Sequence, residues 1–227
     1  MDNVEKYWEK IAKTNPYWGV LVNNKFLKKN LNSQSLIEFY KSGKEETIFI
    51  INYLKNKLNI NIKDLKNDNF LEIGTGTGRI ARHSIKYCNN LYCIDVSDKY
   101  LQLCSAVLPK NHTLINYKHF YDYNFEKVKL IYTWTTLQHY PPNEIKKIVK
   151  KFCEILIKDG IAILHIPYEK TSNYKYVDAE IMQMNCVPMD IIKNIIVSQN
   201  CEIIEIIDKP NHCGNEWKDC YYILKKL

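Results

Sequence analysis

The stretch FLEIGTGTGRIARH, from Phe70 to His83, places an acidic residue, Glu72, just ahead of three glycines, Gly74, Gly76 and Gly78. Glycines let a backbone turn sharply and pass close against a ligand, and a carboxylate before the turn can balance a cationic group. Seventeen residues beyond Gly78, the segment YCIDVS ends an apolar run at Asp95. A carboxylate there can accept hydrogen bonds from a pair of ligand hydroxyls. Spacing narrows the ligand. Dinucleotide binding through G-x-G-x-x-G needs a glycine at position 79, where this chain has Arg79, and a phosphate-cradling loop needs Gly-Lys-Ser/Thr, which is absent. Two plainer readings stay open: a strand-to-helix turn with no ligand, and Asp95 as the cap of the following helix, a duty Ser97 could also perform.

These residues need elements to position them. From Phe70 onward short apolar strands alternate with helical segments: NFLEIG, GRIARHSIKYC, NLYCIDVS, KYLQLCSAVL, HTLINYKHF, KLIYTWT, NEIKKIVKKFCEILI and GIAILHIP, then PMDIIKNIIVSQN, EIIEIIDK and DCYYILKK. That alternation predicts an α/β fold, a doubly wound, mostly parallel seven-stranded sheet with helices on both faces. The last two strands follow each other too closely for a crossover helix and should pair antiparallel. Residues 1–65 read as helix, loop, helix, a helical extension ahead of a compact domain over 66–227. In its final helix Ile48, Ile51, Leu54 and Leu58 recur at helical spacing, predicting the stripe that faces the sheet.

LEIGTGTG followed by Asp95 resembles the first two motifs of the class I methyltransferases that use S-adenosylmethionine, a Rossmann-like family. The likeness is good over 70–167 and one of pattern alone in the last strands. It implies S-adenosylmethionine as cofactor, with Glu72 toward the methionine amino group, Gly74, Gly76 and Gly78 against the cofactor, Asp95 on the ribose hydroxyls and Val96 beside the adenine. After the third strand, in HFYDYNF, Tyr121 or Asp122 would meet the adenine amine. The fourth strand would end over the sulfonium, at Thr133 and Trp134. Many relatives open that strand with an aspartate where this chain has Lys129.

At that strand end stands Thr133-Trp134-Thr135-Thr136 rather than an Asn/Asp-Pro-Pro-aromatic turn, which disfavours methylation of an adenine or glutamine nitrogen. No Pro-Cys pair suggests attack on a pyrimidine, and Tyr140-Pro141-Pro142 reads as the loop into the next helix. LQHYP resembles the loop of small-molecule methyltransferases in which a histidine stands near the acceptor. His139 is therefore the candidate general base, its ordinary pKa lying near neutrality; the alternative is a structural loop histidine. His165, near the end of the fifth strand, is a second candidate or a pocket wall. The aromatic N-terminal segment resembles a lid that excludes water, with Trp18 and Tyr40 expected to face the pocket. The tyrosine-rich insert beginning at Tyr168 is placed to select the acceptor.

Composition sets the outer bounds. The 227 residues are 46% apolar, carry a formal net charge of +7 and suit one domain with an extension. The absence of a long apolar run and the charged N-terminus lead to the expectation of a soluble, cytoplasmic protein without a membrane partner. The lysines are dispersed, which suits an anionic small molecule better than nucleic acid. The eight cysteines contain no CxxC pair and read as reduced core thiols. HCGNEWKDC, His212 to Cys220, is the one stretch resembling a metal site, but its spacing is not zinc-like and no metal is expected. The function expected from these residues is O-methylation of a small polar acceptor: a sugar, a nucleotide-activated or phosphorylated metabolite, or a surface-glycan precursor. The alternatives are methylation of RNA or protein, and a non-catalytic S-adenosylmethionine-binding module. The oligomeric state is not legible.

Overall fold

The computed structural model describes residues 1–172, 174–208 and 213–227. Among the described residues seven strands, β1 (Asn69–Ile73), β2 (Leu91–Asp95), β3 (His112–Asn116), β4 (Val128–Thr133), β5 (Leu156–Lys170), β6 (Cys201–Asp208) and β7 (Trp217–Lys226), stand in the order β3-β2-β1-β4-β5-β7-β6, with β7 antiparallel to the rest. This is the expected doubly wound α/β sheet. Contacts divide the chain into two compact units, Glu5–Tyr123 and Met1–Val4 with Asn124–Leu227.

The first unit begins with α1 (Asp2–Thr14) and α2 (Pro16–Val20), whose proline sits in the first turn, where its missing N–H is harmless. The long α3 (Ser33–Asn56) starts with a reciprocal cap, Asn32 and Ser35 each accepting the other's backbone N–H. Its buried face is not the expected stripe. Of its members Leu54 is buried as expected, but Ile48 is exposed and Ile51 and Leu58 are half-buried, while Ser35, Phe39, Gly43, Thr47 and Ile50 are buried. Small residues complete the buried face and rotate it away from the apolar spacing. A Cβ on Gly43 would lie 2.0 Å from the carbonyl oxygen of Arg79, a separation only glycine permits.

β1 (Asn69–Ile73) pairs in parallel with β2 (Leu91–Asp95), and β2 with β3 (His112–Asn116). All residues of β1 and β2 are buried, as strands covered on both faces should be. The helix expected over GRIARHSIKYC is short: α4 (Ala81–Ser84) gives way to a 3-10 turn over Ile85–Tyr87. The Ser84 hydroxyl donates to the Ala81 carbonyl and competes with the helical ladder there. α5 (Asp98–Ser105) is capped by Ser97, whose hydroxyl accepts the Tyr100 N–H at 3.1 Å. Asp95 is thereby relieved of that duty.

In the second unit β4 (Val128–Thr133) pairs in parallel with β5 (Leu156–Lys170), joined by α6 (Pro142–Ile155). Pro142 opens α6, as the Tyr140-Pro141-Pro142 loop implied. α7 (Met189–Ser198) leads to β6 (Cys201–Asp208), and β7 (Trp217–Lys226) pairs antiparallel with both β5 and β6. Among the described residues no helix is long and apolar enough to cross a membrane.

Candidate active site

Gly74, Gly76 and Gly78 all have positive φ, at 76°, 52° and 77°. Only glycine holds that series without strain. A Cβ on Gly76 would come within 2.6 Å of Val20 in α2, and one on Gly78 within 2.8 Å of Val107. The turn is therefore tightly covered, and α2 is held near it by the Tyr100 hydroxyl, which donates to the Pro16 carbonyl at 3.0 Å.

Asp95 lies directly against this turn. Its Oδ2 accepts the Gly76 N–H at 2.9 Å and its Oδ1 accepts the Ser97 N–H at 3.0 Å. Each carboxylate oxygen keeps a lone pair for a further donor. Burial pushes its pKa up to about 6, against the lowering by those N–H groups. Thr75 and Thr77 are buried within the turn, and their hydroxyls have no hydrogen-bond partner among the described residues. Buried hydroxyls are normally satisfied, so the turn offers two donors to a ligand as well as the Asp95 acceptors. Glu72 is buried in β1 and Val96 just beyond β2.

Trp18 is half-buried in α2. The Tyr40 ring meets Tyr17 and Phe39 edge-on, and the Arg82 guanidinium sits 4.2 Å from its centre. Burial raises its phenol pKa. Tyr121 and Asp122 are exposed, the former hydroxyl-bonded to Tyr117. No described contact joins either residue to the glycine turn.

Two groups in this unit escaped the sequence reading. Glu9 of α1 accepts the Ser97 hydroxyl at 2.6 Å and the Lys99 N–H at 3.2 Å, clasping the segment after Asp95. Arg79, the residue that breaks the dinucleotide pattern, is buried and bonded to Glu46 at 2.6 Å and the Ser42 hydroxyl at 3.1 Å, both in α3. Its signal was present as a departure from a motif, but its partners lie more than thirty residues away.

The second unit holds the other candidates. Thr133 ends β4 fully buried, its hydroxyl accepting the His165 N–H at 3.3 Å. Trp134 is buried with its ring 4.5 Å from that of Tyr221. Thr135 follows with φ 48°. A β-branched residue in that region is strained, and such strain concentrates where backbone is held for function.

His139 ends a 3-10 turn over Leu137–His139. Its Nδ1 lies 2.6 Å from the Gln183 carbonyl oxygen. A carbonyl cannot donate, so Nδ1 carries the proton and Nε2 the lone pair of the neutral ring. Burial lowers the His139 pKa to about 4, against the raising effect of that bond. The insert is fastened to this turn through Asn185. The Asn185 N–H donates to the Gln138 carbonyl at 2.8 Å, its Nδ2 to the Tyr140 carbonyl at 3.0 Å, and its Oδ1 accepts the Tyr174 hydroxyl at 2.6 Å. His165 is fully buried with Nε2 2.8 Å from Asp219 Oδ2. Tyr168 is half-buried, its hydroxyl donating to Asp208 at 3.4 Å.

Residues 70–160 match the sequence family described as a methyltransferase domain. No protein of curated function matches the chain in sequence. The fold is similar to magnesium protoporphyrin IX methyltransferase of Synechocystis PCC 6803, solved with S-adenosylhomocysteine (11% identity, 99% of this chain and 98% of that one, TM-score 0.68). It is also similar to the N-methyltransferase NodS of Bradyrhizobium japonicum WM9 with the same molecule bound (12% identity, 99% of each chain, TM-score 0.66). A third likeness is to 1,6-didemethyltoxoflavin-N1-methyltransferase of Burkholderia thailandensis (10% identity, 85% and 86% covered, TM-score 0.58). The chain has the class I methyltransferase fold, and its residues 70–160 are similar to the methyltransferase-domain family.

Proposed function

We propose that this protein is an S-adenosylmethionine-dependent methyltransferase that methylates an oxygen of a small polar acceptor. The observation that carries the donor assignment is the left-handed glycine turn with Asp95 bonded into it and two buried threonine hydroxyls beside it. Gly74, Gly76 and Gly78 would lie against the cofactor, Asp95 would accept from its ribose hydroxyls, Val96 would flank its adenine and Glu72 would face its amino group. Tyr121 and Asp122 are the proposed adenine contacts, and Thr133 the residue beside the sulfonium. When bound, the cofactor supplies an electrophilic methyl group.

The acceptor side of the proposal rests on the second unit. With Nδ1 committed to Gln183, His139 presents Nε2 as the atom to receive a hydroxyl proton. A pKa near 4 keeps that nitrogen deprotonated at neutral pH and makes the histidine a weak base, so much of the acceleration comes from positioning the acceptor. Trp134, His165 and Tyr168, with Trp18 and Tyr40 of the helical extension, are proposed to bound the acceptor. The small-molecule substrates named for two of the similar structures, a protoporphyrin and a toxoflavin precursor, agree with an acceptor of that size. Net positive charge favours an anionic one. Residues 1–65 serve as the lid of the domain over 66–227.

Calorimetry with S-adenosylhomocysteine tests the donor site. Asp95→Ala should weaken binding about 100-fold, the loss of two hydrogen bonds to a charged group at about 1.5 kcal/mol each. Equal affinity in the variant refutes the assignment. Label transfer from methyl-labelled S-adenosylmethionine into metabolite, RNA and protein fractions then identifies the acceptor class. Label confined to protein or RNA, or bound to nitrogen, overturns the oxygen assignment.

A further inference from the structure

The β6–β7 end of the second unit contains a cluster of ligating side chains, of which only His165 is also proposed to bound the acceptor. His165 of β5, Asp219 of β7 and Cys213 ahead of β7 bring one ligating atom each to within 4.8 Å of one another. His165 and Asp219 are fully buried. His212, which neighbours Cys213 in the sequence, lies outside the described residues.

The carboxylate of Asp219 is the unusual member. Burying a carboxylate is expensive unless it is paired, and among the described residues no lysine or arginine forms an ion pair with it. Its Oδ2 is 2.8 Å from His165 Nε2, and the Cys213 thiol hydrogen-bonds to the same carboxylate. The third group is the Cys213 thiol, half-buried beside Asp219. An imidazole, a carboxylate and a thiol converging in a water-poor place is a mixed N/O/S donor set. Such sets suit borderline-soft divalent ions, zinc above all, and three protein ligands leave one position open.

We propose that His165, Cys213 and Asp219 form a binding site for a zinc-class divalent ion. His165 supplies the ring nitrogen that bears no proton, and Asp219 supplies one carboxylate oxygen. Cys213 supplies its sulfur after the thiol proton passes to solvent; no electron is transferred. The site shares His165 with the proposed acceptor wall, but metal binding by these three side chains does not require methyl transfer. The sequence alone argued against it, because Cys213 and Asp219 have no zinc-like spacing and His165 lies on another strand.

Cobalt(II) titrated into the full-length, metal-stripped protein provides the test. The expected result is one equivalent bound, with a near-ultraviolet sulfur-to-cobalt charge-transfer band and visible bands of a four-coordinate ion, reversed by zinc. Cys213→Ser should abolish the charge-transfer band, and His165→Asn should weaken binding at least tenfold. Cys201→Ser should change neither, since Cys201 lies at the start of β6 outside the cluster. Zinc should also protect Cys213 from alkylation more than the other cysteines, as read by peptide mass spectrometry on the wild-type protein. Absence of a thiolate band at one equivalent, an unchanged band in Cys213→Ser, or protection that does not favour Cys213 overturns the proposal.

Discussion

The glycine turn and the His139 turn are assembled over different distances along the chain. Asp95 reaches Gly76 across 19 residues, with one intervening strand to carry it. His139 reaches Gln183 across 44 residues, through a helix, a strand and most of an insert. The first arrangement is a product of βαβ geometry, in which a strand end always returns beside the preceding turn. The second depends on how one particular loop folds back. The proposed donor site is therefore legible in sequence, and the proposed acceptor site is not.

The sharpest way to break this contrast is at His139. If its Nε2 receives the acceptor proton, His139→Ala should lower turnover about 10²- to 10⁴-fold while leaving S-adenosylhomocysteine affinity unchanged. The acid limb of the wild-type profile should fall near pH 4, not near the ordinary histidine value of 6.5. The fold favours the neutral ring, so the same group withdraws stability as pH drops from about 6.5 through 4. An acid limb at 6.5 would assign the proton to another group.

Asp95 titrates in the same direction as His139 for function and in the opposite direction for the stability of the unliganded protein. If its ionised form accepts ribose hydroxyls as proposed, S-adenosylhomocysteine affinity should decline about tenfold per unit as pH falls below about 6, measured by calorimetry. The unliganded protein should behave inversely. A carboxyl whose folded pKa is raised contributes stability that is complete below about 4 and lost as pH rises through about 6.

A third test concerns the anchoring of the glycine turn. Arg79→Met removes a buried partner of Glu46 and should destabilise the protein by about 3 kcal/mol in urea unfolding. That is the low end for a broken buried pair, because Glu46 keeps 21% side-chain exposure. Unchanged stability would mean that α3 is held to the turn by packing around Gly43 alone. The smallest effect is expected on the other side. Asn185→Ala strips one hydrogen bond each from the Tyr140 carbonyl and the Tyr174 hydroxyl and should reduce stability by about 1–2 kcal/mol. In steady-state kinetics it should raise KM for the acceptor more than KM for the cofactor, since it loosens the insert and leaves the glycine turn untouched.

The sequence determined the strand and helix order, the antiparallel last pair and the place of the glycine turn, because hydrophobic period and glycine spacing are local properties of the chain. It also determined that Asp95 would stand at the end of β2. Only the tertiary structure decided which face of α3 is buried. Gly43 lies on that face because the Arg79 backbone approaches it so closely, and Thr47 can be buried there because its hydroxyl donates to the Gly43 carbonyl. The same holds for Arg79, whose charge is meaningful only beside Glu46, and for His139, whose proton is placed by a carbonyl from the insert. It holds most of all for His165, Cys213 and Asp219, which are brought together by β5 pairing with β7. Strand register, a non-local hydrogen-bonding choice, sets those neighbours, and no pattern within a short stretch of sequence encodes it.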